Sequence, residues 1–211
     1  LARQAKATGD AFYRSAYYDL AESSMDWQWN DIVWPFLKRY PVDYAHTLDF
    51  AAGHGRNSVR LIELAQHVLI VDINPENIEA CRTRFAGDER FSFLQNDGYS
   101  LAGVPDGSIT FLYSFDSMVH FAPEVIRAYM AEFARVMAPS AYGFCHHSNY
   151  TARPGGDFTS NPHWRNHNSL QNFADGCSAA GLEVVEQQPL DWDDTPSGKA
   201  LDGLTLFRKP G

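Results

Sequence analysis

The sequence predicts an α/β fold: a doubly wound, mostly parallel sheet of seven strands that closes with an antiparallel hairpin. Three observations carry that expectation. Short apolar runs alternate with segments of helical period from residue 47 to residue 180. Successive runs end in an acid, at Asp49, Asp72 and Asp97. The last two runs follow one another with no helix between them. Strand–helix alternation favours parallel pairing, because each crossover helix returns the chain to the same edge.

The elements are read in order. Residues 10–40 predict helices rich in aromatics (Tyr13, Tyr17, Tyr18, Trp27, Trp29, Trp34 and Phe36), with Pro35 kinking or ending a turn. Residues 1–40 are taken as a helical cap on a single domain spanning 1–211. Thr47–Phe50 is a short strand, followed by the turn Ala51–Gly55 and a helix over Arg56–Gln66. Val68–Asp72 is an unbroken apolar run closed by an acid, as suits a strand covered on both faces. Asn74-Pro75 starts a helix whose buried stripe is Ile78, Cys81 and Phe85. Phe91–Gln95 and Ile109–Phe115 are strands, and Pro123–Met137 is the clearest helix. Tyr142–His147 is the fifth strand. Residues 149–167 lack periodicity, hold Pro154, Gly155, Gly156 and Pro162, and predict a long loop of the kind that carries function. A helix over Asn168–Ala180 stops at Gly181, and Leu182–Gln188 with Leu204–Arg208 makes the final pair of strands.

Composition narrows the function. Of 211 residues, 45% are hydrophobic and 20% charged, which argues for a packed globule over disorder. A formal net charge of −9 repels a phosphate backbone, so no nucleic-acid partner is expected. No apolar run approaches the roughly 20 residues needed to span a bilayer, so no membrane partner is expected either. Cys81, Cys145 and Cys177 are odd in number and form no CxxC pair, which points to a reducing, cytoplasmic setting. The expected partner is a small molecule or saccharide, and a homo-oligomer is compatible with the sequence.

The three acids define a ligand site, because open α/β sheets bind ligands beyond the carboxyl ends of their strands. The turn Asp49-Phe50-Ala51-Ala52-Gly53-His54-Gly55 uses small residues that let a ligand approach the backbone. Asp72, followed by Ile73, can accept hydrogen bonds from ribose hydroxyls, and Asp97-Gly98 can meet an adenine amino group. In these features the chain resembles the class I S-adenosylmethionine (SAM)-dependent methyltransferases. Gly53 and Gly55 match their glycine motif, with Ala51 standing where the first glycine is usual. Asp72 matches the ribose-binding acid, Asp97-Gly98 the adenine-side motif, and Ser114-Phe115-Asp116 the strand-four motif beside the methionine part of SAM. The resemblance covers roughly residues 45–208 and implies SAM as cofactor. A nicotinamide-binding protein is the rival on such a sheet; its fingerprint needs a third small residue, which Ser58 meets only loosely.

The acceptor should face the ends of strands four and five. There the sequence places Asp116, His120, His146, His147 and Asn149. A hydroxyl needs its proton removed, and neutral histidine is suited to take it at pH 7. His147 is the first choice of base and His120 the second, with Asp116 beside them. Strand alternation puts His146 and His147 on opposite sides, so one alone should reach the site. The alternative is magnesium held by Asp116 together with His or Asn after strand five, polarising the acceptor hydroxyl. The loop Asn161-Pro162-His163-Trp164-Arg165-Asn166-His167 combines an aromatic face with polar groups, as carbohydrate binding requires. His146, Asn149, His163, Trp164 and Arg165 are therefore candidate substrate contacts. With the closing Leu201-Asp202-Gly203, these segments resemble bacterial sugar and polysaccharide O-methyltransferases. Strand four is not followed by the Asn/Asp-Pro-Pro-Tyr/Phe of base-directed enzymes.

Overall fold

Seven strands form one sheet in the order β3-β2-β1-β4-β5-β7-β6. In this computed structural model, which describes residues 1–12, 17–155 and 157–211, the N-terminal helices are α1 (Ala2–Phe12), α2 (Tyr17–Ser23), α3 (Met25–Trp27) and α4 (Trp34–Leu37). The sheet and its crossovers follow as β1 (His46–Phe50), α5 (Ser58–Leu61), β2 (His67–Asp72), α6 (Pro75–Arg84), β3 (Phe91–Gln95), β4 (Ile109–Ser114), α7 (Pro123–Val136) and β5 (Met137–Ser148). The chain closes with α8 (Leu170–Ala179), β6 (Glu183–Leu190) and β7 (Asp202–Arg208). Strands β1 to β5 pair in parallel, and β7 runs antiparallel to both β5 and β6. The seven-stranded sheet with its closing hairpin is the one the sequence predicts. Insertion of β7 between β5 and β6 sets it apart from the dinucleotide-binding order 3-2-1-4-5-6.

Differences from the sequence reading have local causes. The helix expected over Arg56–Gln66 contracts to α5, flanked by turns, because Arg56 and Asn57 are drawn inward and buried. A π-helical turn, Gln28–Val33, runs between α3 and α4 and ends two residues before Pro35, whose ring nitrogen cannot donate to the preceding turn. Residues 149–167 are not featureless: they hold two 3-10 turns (Phe158–Ser160 and Pro162–Trp164) and a bridge between Tyr150 and His167. Tyr13 and Gly156, named in the sequence reading, lie outside the described residues. Among the described residues no helix is long and apolar enough to cross a membrane.

The sheet separates two cores. On one face α7 and α8 cover Leu48, Phe50, Leu112, Cys145 and Phe207. On the other, the N-terminal helices and α6 cover Ile70, Phe111, Tyr113, Phe144 and Leu206. Burial pushes the Cys81 and Cys177 thiols up to about 12 and raises Cys145 well above the ordinary thiol value. Gly143 on β5 lies beneath the Phe207 ring of β7, and a Cβ there would sit 2.3 Å from two ring atoms. Phe207 is fully buried and cannot withdraw. We expect Gly143→Ala to cost about 1–3 kcal/mol, the usual penalty for overpacking, read as a lower urea midpoint with an unchanged m-value.

Candidate functional site

The carboxyl ends of β1, β2 and β4 open onto a partly enclosed cavity. Its polar lining includes Asp72, Asn77, Asn96, Asp116, Ser117 and His120. Phe12, Phe50, Ile73, Phe121 and Val125 supply apolar walls. A second, smaller space shares Tyr18, Ala51, Gly53, Asp116 and Ser117 with it, and adds Asp49, Arg56 and Phe115.

The glycine turn is built from left-handed backbone: φ is 55° at Ala51 and 57° at Gly53. Ala51, at the position where a first glycine is usual, thus adopts the conformation glycine would have favoured. A Cβ on Gly53 would meet the Tyr18 ring at 2.8 Å, and Tyr18 stacks on His54 with ring centroids 4.1 Å apart. Gly55 faces inward against Phe85 and Cys81 and serves packing. Asp49 is buried beneath the turn, where it accepts the Ser58 hydroxyl, and burial pushes its carboxyl up to about 7.

Asp72 closes β2. Its carboxylate accepts the Gly53 and Asn74 N–H groups, both at 2.9 Å, and the Asn77 amide at 3.0 Å. Burial raises its pKa against these bonds. A carboxylate offers about four lone-pair positions. The Gly53, Asn74 and Asn77 bonds take three of them, and the Ile73 N–H also favours the charged form. At the end of β3 the two polar neighbours part company. Asn96 lines the cavity and donates to the Tyr129 hydroxyl at 2.7 Å. Asp97 is exposed and folds onto its own loop, accepting Tyr99 N–H, Ser100 N–H and the Ser100 hydroxyl. Although partial burial would raise it, those bonds hold its carboxyl below the usual range. Gly98 does line the cavity, and a Cβ there would strike Ile73 at 2.5 Å and Ala5 of α1 at 2.7 Å. The side chain at the third strand end is thus Asn96, a residue that apolar patterning does not single out. A nucleoside fits this lining: the Asp72 carboxylate for a ribose hydroxyl, Ile73, Phe121 and Val125 for a base, and Asn96 at the polar edge.

Beyond β4 the residues form an ion network. Asp116 has φ of 61°, an uncommon value for a residue with a side chain. Its carboxylate pairs with Arg56 at 2.8 Å and lies 3.9 Å from Arg165. Arg165 forks onto both Asp202 oxygens, at 2.9 and 2.7 Å, and lies over the Trp192 ring at 4.4 Å. His146 accepts the Asp116 N–H at Nδ1 (3.1 Å), and its Nε2 lies 3.0 Å from Asp202. Burial alone would raise the Asp202 carboxyl, but His146 and Arg165 hold it far below its usual range. Asp116 with two guanidiniums around it does not fit a magnesium ligand, and among the described residues no cluster of His, Cys, Asp and Glu could hold a metal ion.

The histidines fall in three environments. His147, the first choice of base, faces α8. It stacks on Phe173 with centroids 3.8 Å apart; its Nε2 bonds the Thr205 hydroxyl and its Nδ1 the Ser148 carbonyl. Strand alternation turned it to the face opposite the cavity, so it has neither access nor a free nitrogen. His146 is buried in the ion network. His120 lines the cavity, in a 3-10 turn over Met118–His120. Its Nδ1 lies 2.8 Å from the Trp164 carbonyl, and its Nε2 has no partner among the described residues. Burial, then Arg165, lowers its pKa to about 4.

The expected substrate contacts are also dispersed. Arg165 is buried on Asp202, His163 pairs with Asp193 at 2.7 Å, and Asn149 braces Ala200 and Leu170. Trp164 remains 40% exposed beside Phe12, with centroids 5.4 Å apart.

Comparison with known proteins agrees with this geometry. Residues 47–140, less than half of the chain, match the methyltransferase domain family. Over 112 residues the chain is 35% identical to the methyltransferase nsrG of Aspergillus novofumigatus, covering 53% of this chain and 42% of that one. Over 99 residues it is 32% identical to a demethylmenaquinone methyltransferase of Clavibacter sepedonicus, covering 47% and 39%. The matches thus span about two fifths of the length of these curated relatives. A solved SAM-dependent methyltransferase from Methanosarcina mazei superposes with a TM-score of 0.66 at 18% identity, over 83% of this chain and 97% of that one. The fold is that of the class I SAM-dependent methyltransferases. Within it, residues 47–140 are the part similar to the methyltransferase domain family.

The buried neutral histidines make stability pH-dependent. His147 is pushed down to about 3 and His120 to about 4, against an ordinary value near 6.5. Both bind protons more readily when unfolded, so their contribution is complete above about pH 6.5 and is lost as pH falls towards 4. Each histidine should add a slope of at most about 1.4 kcal/mol per pH unit across that window. Urea unfolding from pH 7 to 4.5 should show this loss, with a shallower slope for His147→Gln.

Proposed function

We propose that this chain transfers the methyl group of SAM to a hydroxyl of a small neutral molecule, a saccharide or another hydroxylated metabolite. The observation that carries the reading is His120, which lines one cavity with Asp72, Gly53 and Asp116 and whose buried Nε2 has no hydrogen-bond partner among the described residues. Bound SAM supplies an electrophilic methyl on a positively charged sulfur. The residues around it do the rest. Asp72 and Asn96 orient the nucleoside. The apolar walls exclude water. His120 Nε2 accepts the hydroxyl proton as the new O–C bond forms and the S–C bond breaks, leaving S-adenosylhomocysteine, the methyl ether and an imidazolium. The Asp116 and Asp202 carboxylates favour that charge. Proximity and proton removal are the two contributions such a site makes.

The exposed Trp164 beside Phe12 offers flat faces on which a sugar ring can stack. Phe12 and Phe50 on the cavity wall, with the relative named for demethylmenaquinone, favour a second acceptor, a hydroxylated aromatic ring.

Calorimetry should show one SAM bound per chain and no response to NAD. Asp72→Ala should weaken SAM about 10- to 100-fold, the loss of a bond to a charged acceptor. A screen of glycosides, phenols and quinols for S-adenosylhomocysteine release, with and without chelator, separates the acceptor classes and tests metal assistance. His120→Asn should lower turnover about 10²- to 10⁴-fold while SAM affinity changes less than tenfold. With the base held near 4, kcat/KM should stay level from pH 8 to 6 and fall only in more acid solution. Unchanged turnover in His120→Asn removes the base assignment, and tight SAM binding without product for any acceptor removes the enzymatic reading.

A further inference from the structure

The turn Asn161–His167 is held more tightly than an acceptor loop needs to be. Arg165 donates to both Asp202 oxygens and to the His163 carbonyl at 2.9 Å. The Asn161 amide donates back to the Arg165 carbonyl at 2.8 Å. Asn166 ties the turn to the segment beyond β4: its N–H donates to the Val119 carbonyl at 2.9 Å and its amide to the His120 carbonyl at 3.2 Å. The Ser148 hydroxyl at the end of β5 donates to the Asn166 carbonyl at 2.6 Å.

Inside this frame two successive residues with side chains are left-handed: His163 at φ 46° and Trp164 at φ 57°. Such conformations are strained and persist only where the surroundings over-determine them. What they achieve is the aim of one carbonyl. The Trp164 oxygen lies 2.8 Å from His120 Nδ1. A carbonyl can only accept, so Nδ1 carries the proton and the lone pair is on Nε2, the nitrogen without a partner among the described residues.

We propose that Trp164, held left-handed by the Arg165–Asp202 pair, is a positioning residue that fixes the tautomer of the cavity-lining His120 with its lone pair on the buried Nε2. The turn acts through its backbone, and the indole is secondary. The catalytic meaning of that lone pair rests on the methyl-transfer reading above; the tautomer itself does not.

The test therefore reads the tautomer directly. Protein labelled with ¹⁵N-histidine gives long-range ¹H–¹⁵N correlations that distinguish Nδ1–H from Nε2–H rings, and His120→Asn identifies the signals. At pH 7 the wild-type His120 should be the Nδ1–H form. Two substitutions remove the indole but differ in backbone tolerance. Trp164→Gly accepts the left-handed conformation and should keep the Nδ1–H pattern. Trp164→Val, β-branched and averse to positive φ, should convert His120 to a mixture of tautomers, with SAM affinity within about threefold of wild type. If Trp164→Val does not fold, Arg165→Lys carries the test: it keeps the charge, loses the two-pronged grip and should also mix the tautomers. An Nε2–H ring in the wild type overturns the proposal. So does an unaltered Nδ1–H pattern in folded Trp164→Val, or in Arg165→Lys where that variant stands in. Failure of the wild type to bind SAM would sink the methyl-transfer reading and leave the tautomer result standing.

Discussion

Four buried charges, two guanidiniums and two carboxylates, tie together the parts of the chain that make the cavity. Arg56 comes from the glycine turn, Asp116 from the end of β4, Arg165 from the turn after β5 and Asp202 from the first residue of β7. Charges out of water cost several kcal/mol apiece, and their mutual attraction offsets this only in good geometry. The sum is neutral, and each guanidinium has further work: Arg56 donates to the Ala21 carbonyl and the Gln28 amide, Arg165 to the His163 carbonyl. Removing one member would strand another. The network is therefore better understood as a constraint on geometry than as a source of stability. It forces four distant segments into one register, and it obliges Asp116 to adopt the left-handed backbone that turns its N–H towards His146.

From that constraint the site follows. Asp116 borders both spaces at the sheet rim, so the glycine turn and the residues beyond β4 are held at a set distance. The α1 helix closes the same cavity from the other side, where Gly98 has no side chain because Ala5 and Ile73 occupy that volume. A ligand there meets fixed polar groups in an apolar enclosure, where electrostatic interactions are stronger than in water.

Much of the fold was legible because periodicity and strand-end acids are properties of single segments. The run Val68–Val71 is apolar throughout since both faces are covered, and the helix over Pro123–Val136 shows its stripe of Ile126, Tyr129, Met130 and Phe133. The candidate site was legible to the level of segments and less so to the level of side chains. Asp72 and the glycine turn could be read because a strand end and small residues suffice to place them. Asn96 and Asp97 are adjacent and both polar, so nothing local says which one faces the cavity. His146, His147 and His120 differ in role through what crosses the sheet to meet them: Phe173 and Thr205 for His147, Asp202 for His146, the Trp164 carbonyl for His120. Those partners lie 26 to 58 residues away along the chain, beyond any window of periodicity. Arg165 looked like a hydroxyl-binding group for the same reason; its carboxylate partner is 37 residues downstream.

The distribution of sulfur has a practical corollary. Cys81 sits in the core under the N-terminal helices, its thiol 3.3 Å from the Gly53 carbonyl, while Cys145 and Cys177 belong to the core beneath α7 and α8. All three thiols are buried and kept protonated, so the intact fold withholds them from alkylating reagents. Uptake of such a reagent is then a clock for opening. Modification at Cys81 counts departures of the glycine-turn face, and modification at Cys145 or Cys177 counts departures of the opposite layer. The molecule thus carries, on either side of one sheet, its own chemical reporters of which half breathes first.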